Sequence, residues 1–198
     1  MGVYSLKPGF QRTLDPLCER LVAAGVHPDL LTAAGLAVSL LGGICLAAFP
    51  GAPWLLLLAP PAALVRTVLN ALDGMVARAS GLSHARGEFL NEVCDRLSDV
   101  ALFGGLTLSG AVRPELGAAA ITAMLLASQA GVASRSAGGD RQYGGVMGKA
   151  DRMLWLSGGA LVAFLAGHRL LDLLLVLVAA GSAATFAQRS ALALKQLP

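Results

Sequence analysis

Six stretches of this chain, Leu30–Phe49, Trp54–Leu72, Phe89–Val112, Leu116–Ala133, Met153–Ala166 and Leu170–Phe186, are built mostly of apolar residues. A helix needs roughly 20 such residues to cross a hydrocarbon core of about 30 Å, and these runs reach or approach that length. The fifth is the shortest and spans only together with its flanks. In lipid, every backbone N–H and C=O must be satisfied inside the protein, which leaves a helical bundle as the architecture. Composition agrees, with 56% of residues hydrophobic and 14% charged, well below the charged share of about 25% in soluble domains.

The expected fold is therefore an all-α integral membrane protein: a bundle of six transmembrane helices over residues 30–198, preceded by a juxtamembrane segment over residues 1–29. In that segment, Phe10 to Gly25 alternates Leu and Val with Arg12, Asp15, Glu19 and Arg20, the pattern of an amphipathic helix on a membrane surface. Pro60 and Pro61 lie inside the second run, so the helix either kinks there or begins at Pro61. Lys7, Arg12 and Arg20 precede the first span, Arg78 and Arg86 lie between the second and third, and Arg135, Arg141, Lys149 and Arg152 lie between the fourth and fifth. Arg189 and Lys195 close the chain, whereas the opposite loops hold only Arg113 and Arg169. The positive-inside rule then puts both termini in the cytoplasm.

The net charge of +3 is spread too thinly for a nucleic-acid surface, and an anionic membrane is the expected partner. Cys18, Cys45 and Cys94 form no CxxC pair and are odd in number, which argues against a disulfide framework or a zinc site. The first strongly apolar run begins near Leu30, too late for a cleaved signal peptide. Gly35, Ser39, Gly42 and Gly43 in the first span, and Gly104, Gly105 and Gly110 in the third, are read as contact points between closely packed helices. Trp54 is read as an interfacial anchor.

Polar residues concentrate where the second span leaves the membrane and the third re-enters it. Asn70, Asp73 and Ala77 fall at i, i+3 and i+7 of one helix face, and Gly87, Asn91 and Asp95 recur every four residues on another. The short connection makes the two helices antiparallel neighbours, so these faces confront each other. Oxygen-bearing side chains from both then converge at the membrane boundary, the arrangement that binds a hard divalent cation. Gly74 and Gly87 leave room for a substrate to approach the backbone.

Read from Asn70 to Asp95, the sequence is N-x2-D-G-x2-A-R-x8-G-x3-N-x3-D. It resembles the signature of the CDP-alcohol phosphotransferase family, D-x2-D-G-x2-A-R-x8-G-x3-D-x3-D. Every spacing is kept, and Asp73, Gly74, Ala77, Arg78, Gly87 and Asp95 match. Pro28-Asp29-Leu30-Leu31-Thr32 resembles the P-N-x-x-T that opens the family's first span, and Gly148-Lys149 resembles its G-K. The two asparagines, Arg66 and the G-K-x-D-R stretch are similar to a divergent branch that contains the proteins called YnbA.

The resemblance implies a membrane transferase at the cytoplasmic face of the bacterial inner membrane. Such an enzyme moves a phosphoalcohol group from a CDP-alcohol such as CDP-diacylglycerol to an acceptor alcohol and releases CMP, in phospholipid biosynthesis. It also implies divalent metal, Mg or Mn, and a homodimer. Carried over, Asp73 is a metal ligand, Asp95 a ligand or the general base, and Asn70 and Asn91 neutral oxygen ligands at positions the family fills with carboxylates. Gly74, Ala77, Arg78 and Gly87 frame the CDP moiety. Glu88, Glu92 or Asp99 are expected to restore the missing charge. Lys149 and Arg152, and with them Arg141, are expected to bind phosphate of the donor or acceptor.

Arg66 and Asp99 lie one turn deeper than the motif on the two opposed helices, and charges at that depth are costly unless paired or hydrated. A mutual ion pair beneath the metal floor is the expected arrangement. Cys94 is read as a packing thiol, and His27 and His168 as interfacial residues. Two other functions fit the same chain less well. One is an inactive relative that binds CDP-lipid or acts as a membrane scaffold. The other is a small transporter, which would show repeats and broken helices around a midplane site.

Overall fold

The computed structural model describes residues 7–197, and its regular elements are all helical. In chain order they are α1 (Lys7–Ala23), α2 (Pro28–Ala48), a 3-10 helix (Pro53–Leu58), α3 (Ala59–Ala79), α4 (Ala85–Leu108), α5 (Pro114–Ser136), α6 (Lys149–Ala166) and α7 (Leu170–Gln196). Residues 1–6 of the expected juxtamembrane segment lie outside the described residues.

Among the described residues, four helical stretches are long and apolar enough to cross a membrane: Pro28–Ala48, Pro53–Ala79, Pro114–Ser136 and Leu170–Gln196. α4 and α6 fall short by composition. The first two thirds of α4 carry Glu88, Glu92, Asp95, Arg96 and Asp99, and α6 opens with Lys149, Asp151 and Arg152. These charges belong to the polar site, so they lower the hydropathy of helices whose remaining turns are apolar.

Pro60 and Pro61 do not kink a helix. They occupy the first turn of α3, where backbone N–H groups have no intrahelical partner to lose, and the 3-10 turn carries Trp54. α3 is capped by Ser80, whose hydroxyl donates to the Val76 carbonyl at 2.7 Å, and Gly81 follows at φ 71°. That left-handed residue stops the helix and leaves a short connection to α4. α4 starts on His84, whose Nδ1 accepts a hydrogen bond from the Gly87 N–H at 2.8 Å.

α2 packs on both α3 and α4, α5 on α7, and α3 on α6. A core of Leu46, Phe49, Leu102, Phe103, Leu106, Met124, Leu156, Leu171 and Leu175 fills the end of the bundle away from the signature. At the other end, α1 does more than lie on a surface. Its Leu14 and Cys18 are buried with Leu31, Leu72, Met75 and Val76, which props the back of the signature-bearing part of α3. Leu40, Leu41, Ile44, Leu64, Leu108 and Leu165 face outward, as expected of helices solvated by lipid.

The α2–α4 contact depends on two glycines. A Cβ on Gly105 would collide with the Gly43 carbonyl, and a Cβ on Gly43 with the Ala101 carbonyl. Both obstacles are backbone, so neither can swing aside. Gly43→Leu is expected to separate α2 from α4 at a cost on the order of 3 kcal/mol or more, read as a lower melting temperature in detergent. Gly104→Leu is the control. A Cβ at Gly104 meets nothing within 4 Å, so that change is expected to leave the melt nearly unchanged.

Candidate active site

The last turns of α3 and the first turns of α4 and α6 enclose a cavity of about 1120 Å³. Asn70, Asp73, Gly74, Ala77 and Arg78 line it from α3, Gly87, Asn91 and Asp95 from α4, and Lys149 from α6. The two faces inferred from spacing thus line one common space. Two local features explain why the signature has this form. A Cβ on Gly74 would lie 3.2 Å from Arg78 Nη1, so glycine one turn earlier leaves space for that guanidinium. A Cβ on Gly87 would lie 3.3 Å from Asp29 Oδ1 and 3.2 Å from the His84 ring, so glycine lets α4 begin close against α2.

Asp73 is buried and is held on both oxygens. Thr32 Oγ1 donates to Oδ2 at 2.9 Å, and the Gly74 N–H donates to Oδ1. Asp95 is held on one oxygen. Asn70 Nδ2 donates to its Oδ1 at 3.0 Å, and the Lys149 ammonium forms an ion pair with the same Oδ1. Asn70 therefore presents its amide N–H to Asp95, while its own carbonyl oxygen lies against Gly35 of α2.

Beneath this layer Arg66 and Asp99 do pair, with Nη2 and Oδ1 2.8 Å apart and both side chains at most 3% exposed. Sequence reasoning missed the third member. Arg152 Nη2 lies 3.1 Å from the other Asp99 oxygen, and Arg152 also donates to the Met124 carbonyl and, at 3.5 Å, to Ser128 Oγ. Arg152 was expected to bind phosphate, but its guanidinium is engaged with Asp99. At 4% exposure it needs a counterion within the protein. Arg66 adds bonds to the Asp95 carbonyl and to Met153 Sδ.

The glutamates expected to restore charge are also engaged. Glu92 pairs with Arg96 one turn along α4 at 2.8 Å and with Arg141 from the α5–α6 connection, and Glu88 pairs with Arg135 at 2.7 Å. Arg141 additionally lies over the Tyr143 ring, 4.8 Å from its centroid. Arginines of α4 itself, of α5 and of the α5–α6 connection satisfy these carboxylates, so they bring no net negative charge to the cavity. Four further residues carry no signal in the signature. Thr32 anchors Asp73, while His27, Asp29 and His84 gather their ligand atoms within 4.8 Å of one another where α2 and α4 begin. Both imidazoles act there as helix caps through Nδ1.

No family model matches the chain. It is 38% identical over 158 residues to the inner membrane protein YnbA of Escherichia coli strain K12, covering 78% of this chain and 76% of that protein. It is 32% identical over 197 residues to the phosphatidylinositol phosphate synthase of Mycobacterium marinum, covering 92% of this chain and 80% of the synthase. Its fold matches the crystal structure of the Mycobacterium tuberculosis phosphatidylinositol phosphate synthase with CDP-diacylglycerol bound. The TM-score is 0.75 at 25% identity, over 92% of this chain and 94% of the other. A structure of the same synthase in complex with manganese and citrate gives TM-score 0.75 at 24% identity, over 90% and 88% of the two chains. With the signature spacing kept in full and this similarity running through most of its length, the chain belongs to the CDP-alcohol phosphotransferase family, the membrane transferases of phospholipid biosynthesis.

Proposed function

We propose that this protein transfers the phosphatidyl group of CDP-diacylglycerol to an acceptor alcohol and releases CMP. The observation that carries this reading is the meeting of Asp73, Asp95, Arg78 and the two signature glycines around one cavity. Arg78 and the backbone opened by Gly74 and Gly87 hold the CDP moiety. The acceptor oxygen bonds to the phosphorus that bears the lipid alcohol, the P–O bond to CMP breaks, and the hydroxyl proton passes to Asp95. Oδ2 is the Asp95 oxygen that neither Asn70 nor Lys149 engages. The residues fit a hard divalent ion of the Mg or Mn class. Asp73 and Asp95 supply charge, and Asn91 a neutral oxygen. Such an ion, when bound, polarises the phosphoryl oxygens and neutralises the leaving group.

The membrane arrangement that fits this function has α2 to α7 as six spans, with α1 at the surface and both termini in the cytoplasm of a bacterial inner membrane. Residues 30–198 then form the transferase domain, and residues 1–29 a juxtamembrane segment. Two observations support that orientation. The cavity opens at the end of the bundle that holds Arg78, Arg86, Arg135, Arg141 and Lys149. At the opposite end, Arg113 is paired with Asp172 at 3.2 Å. Outward-facing apolar helix surfaces permit the homodimer that the family resemblance implies.

Nucleotide binding tests the reading directly. Calorimetric titration of the purified chain with CDP-glycerol, CDP-diacylglycerol and CMP is expected to show binding that requires Mn or Mg and is lost in Arg78→Ala. No heat under any metal condition would favour the scaffold or transporter reading.

A further inference from the structure

We propose that Thr185 of α7 is a positioning residue for Lys149, and that the face of α7 around it sets where the Lys149 ammonium stands beside Asp95. Asp95 takes the proton in the transfer described above, so this assignment deepens the transferase reading and rests on it.

Thr185 is fully buried, and its hydroxyl is committed on both sides. It donates one turn back to the Gly181 carbonyl at 2.8 Å, which spends its proton and leaves a lone pair facing outward. That lone pair accepts the Met147 N–H at 2.8 Å. Met147 is itself buried, and its side chain lies over Gly181, where a Cβ would come within 2.7 Å of Cε. Gly145, at φ 131°, passes so near that a Cβ there would collide with Thr185 Cγ2. Further along α7, Arg189 donates to the Tyr143 and Gly144 carbonyls at 3.0 and 2.8 Å, and Gln196 Oε1 accepts from the Gln142 amide at 2.7 Å. Gly181, Thr185, Arg189 and Gln196 follow one another at spacings of four, four and seven, which keeps them on one side of the helix. One face of α7 thus holds the α5–α6 connection, a segment that is neither helix nor strand.

Met147 leads directly into the site. Gly148 is the N-cap of α6 and Lys149 its first residue. The first turn of a helix has N–H groups without intrahelical partners and frays unless it is held. Among the described residues α4 does not pack on α6, so Lys149 reaches Asp95 across the cavity rather than along a helix contact. Arg152 anchors α6 to Asp99 only three residues later. In the turn that carries Lys149, the Gly148 N–H bonds to Asp151 at 2.9 Å, which closes the turn on itself. The bond from Met147 to Thr185 ties that turn to the rest of the bundle.

The test is made on the full-length protein in detergent. Thr185→Val keeps the shape and removes the acceptor, leaving the Met147 N–H unpaired. It is expected to speed amide hydrogen exchange across residues 147–151 and to slow metal-dependent CMP release about tenfold, since small misplacements of catalytic groups are costly in rate. Thr185→Ser, which keeps the hydroxyl, is expected to restore both. Lys149→Met separates positioning from general loosening. Adding Thr185→Val to Lys149→Met is expected to slow CMP release little further, while it lowers the melting temperature equally in both backgrounds. Labelled CDP-diacylglycerol keeps the slow variants measurable. Equal rate losses in the two backgrounds would overturn the proposal, as would Thr185→Val with unchanged exchange or an unchanged rate. Those outcomes leave the transferase reading standing. No CMP from wild type with any donor and acceptor overturns both.

Discussion

Asp99→Asn is expected to cost about 3–5 kcal/mol of stability, a drop of roughly 10 °C in melting temperature for a chain of this size. The reason is the buried triad. Asp99 is the shared counterion of Arg66, at 2.8 Å, and Arg152, at 3.1 Å, and all three side chains are at most 4% exposed. Removing its charge leaves two guanidiniums facing each other in a site with little solvent to screen them. The triad also predicts an asymmetry that a simple Arg66–Asp99 pair does not. Arg66→Met leaves a neutral Asp99–Arg152 pair behind, so it is expected to cost clearly less than Asp99→Asn. Thermal unfolding of the two variants in one detergent, followed by light scattering or size exclusion, checks the order. Equal losses would mean that Arg152 does not share the carboxylate.

The largest expected effect on activity comes from Asp73→Asn, a loss of CMP release on the order of 10³-fold or more at saturating metal. The signature positions of this chain carry only two carboxylates, so the change halves the charge available to a metal. The side chain is nearly isosteric and its surroundings are polar, and the variant is expected to melt close to wild type. Thr32→Val should act on the same function less severely. It removes the 2.9 Å hydrogen bond that orients Asp73 and is expected to weaken metal binding by about tenfold. Measuring CMP release against Mn concentration separates the two. Thr32→Val should recover as Mn rises, and Asp73→Asn should not.

How much of this was legible in the sequence follows from the range of each interaction. Periodicity and apolar length located every helix to within a few residues, because both are local properties of a chain that must satisfy its backbone in lipid. α3 and α7 are the exceptions. α3 runs to Ala79, past the apolar run that ended the expected span at Leu72, and the polar end of α7, Ala187 to Gln196, continues past the run that ended at Phe186. The meeting of Asn70, Asp73, Asn91 and Asp95 was legible because a short turn joins the two helices that carry them. Pairings with distant segments were not. Arg152 was assigned to phosphate and Glu92 to charge compensation because nothing local shows that Asp99 and Arg141 face them. The orientation of the Asn70 amide was equally out of reach, since it is set by Asp95 and Lys149 from two other helices. Thr32 was visible as part of a motif, but only its distance to Asp73 gives it a role.

The asparagines at positions 70 and 91 make activity itself the central question. The most direct measurement incubates the purified protein with CDP-diacylglycerol, Mn or Mg, and a panel of acceptor alcohols, phosphorylated and not, and quantifies CMP. Metal-dependent CMP release that requires one class of acceptor and is lost in both Asp73→Asn and Asp95→Asn is the predicted result. Absence of CMP from wild type with every donor and acceptor, together with release by Asn70→Asp, Asn91→Asp under the same conditions, would contradict the account. The native chain would then be an inactive member of its family.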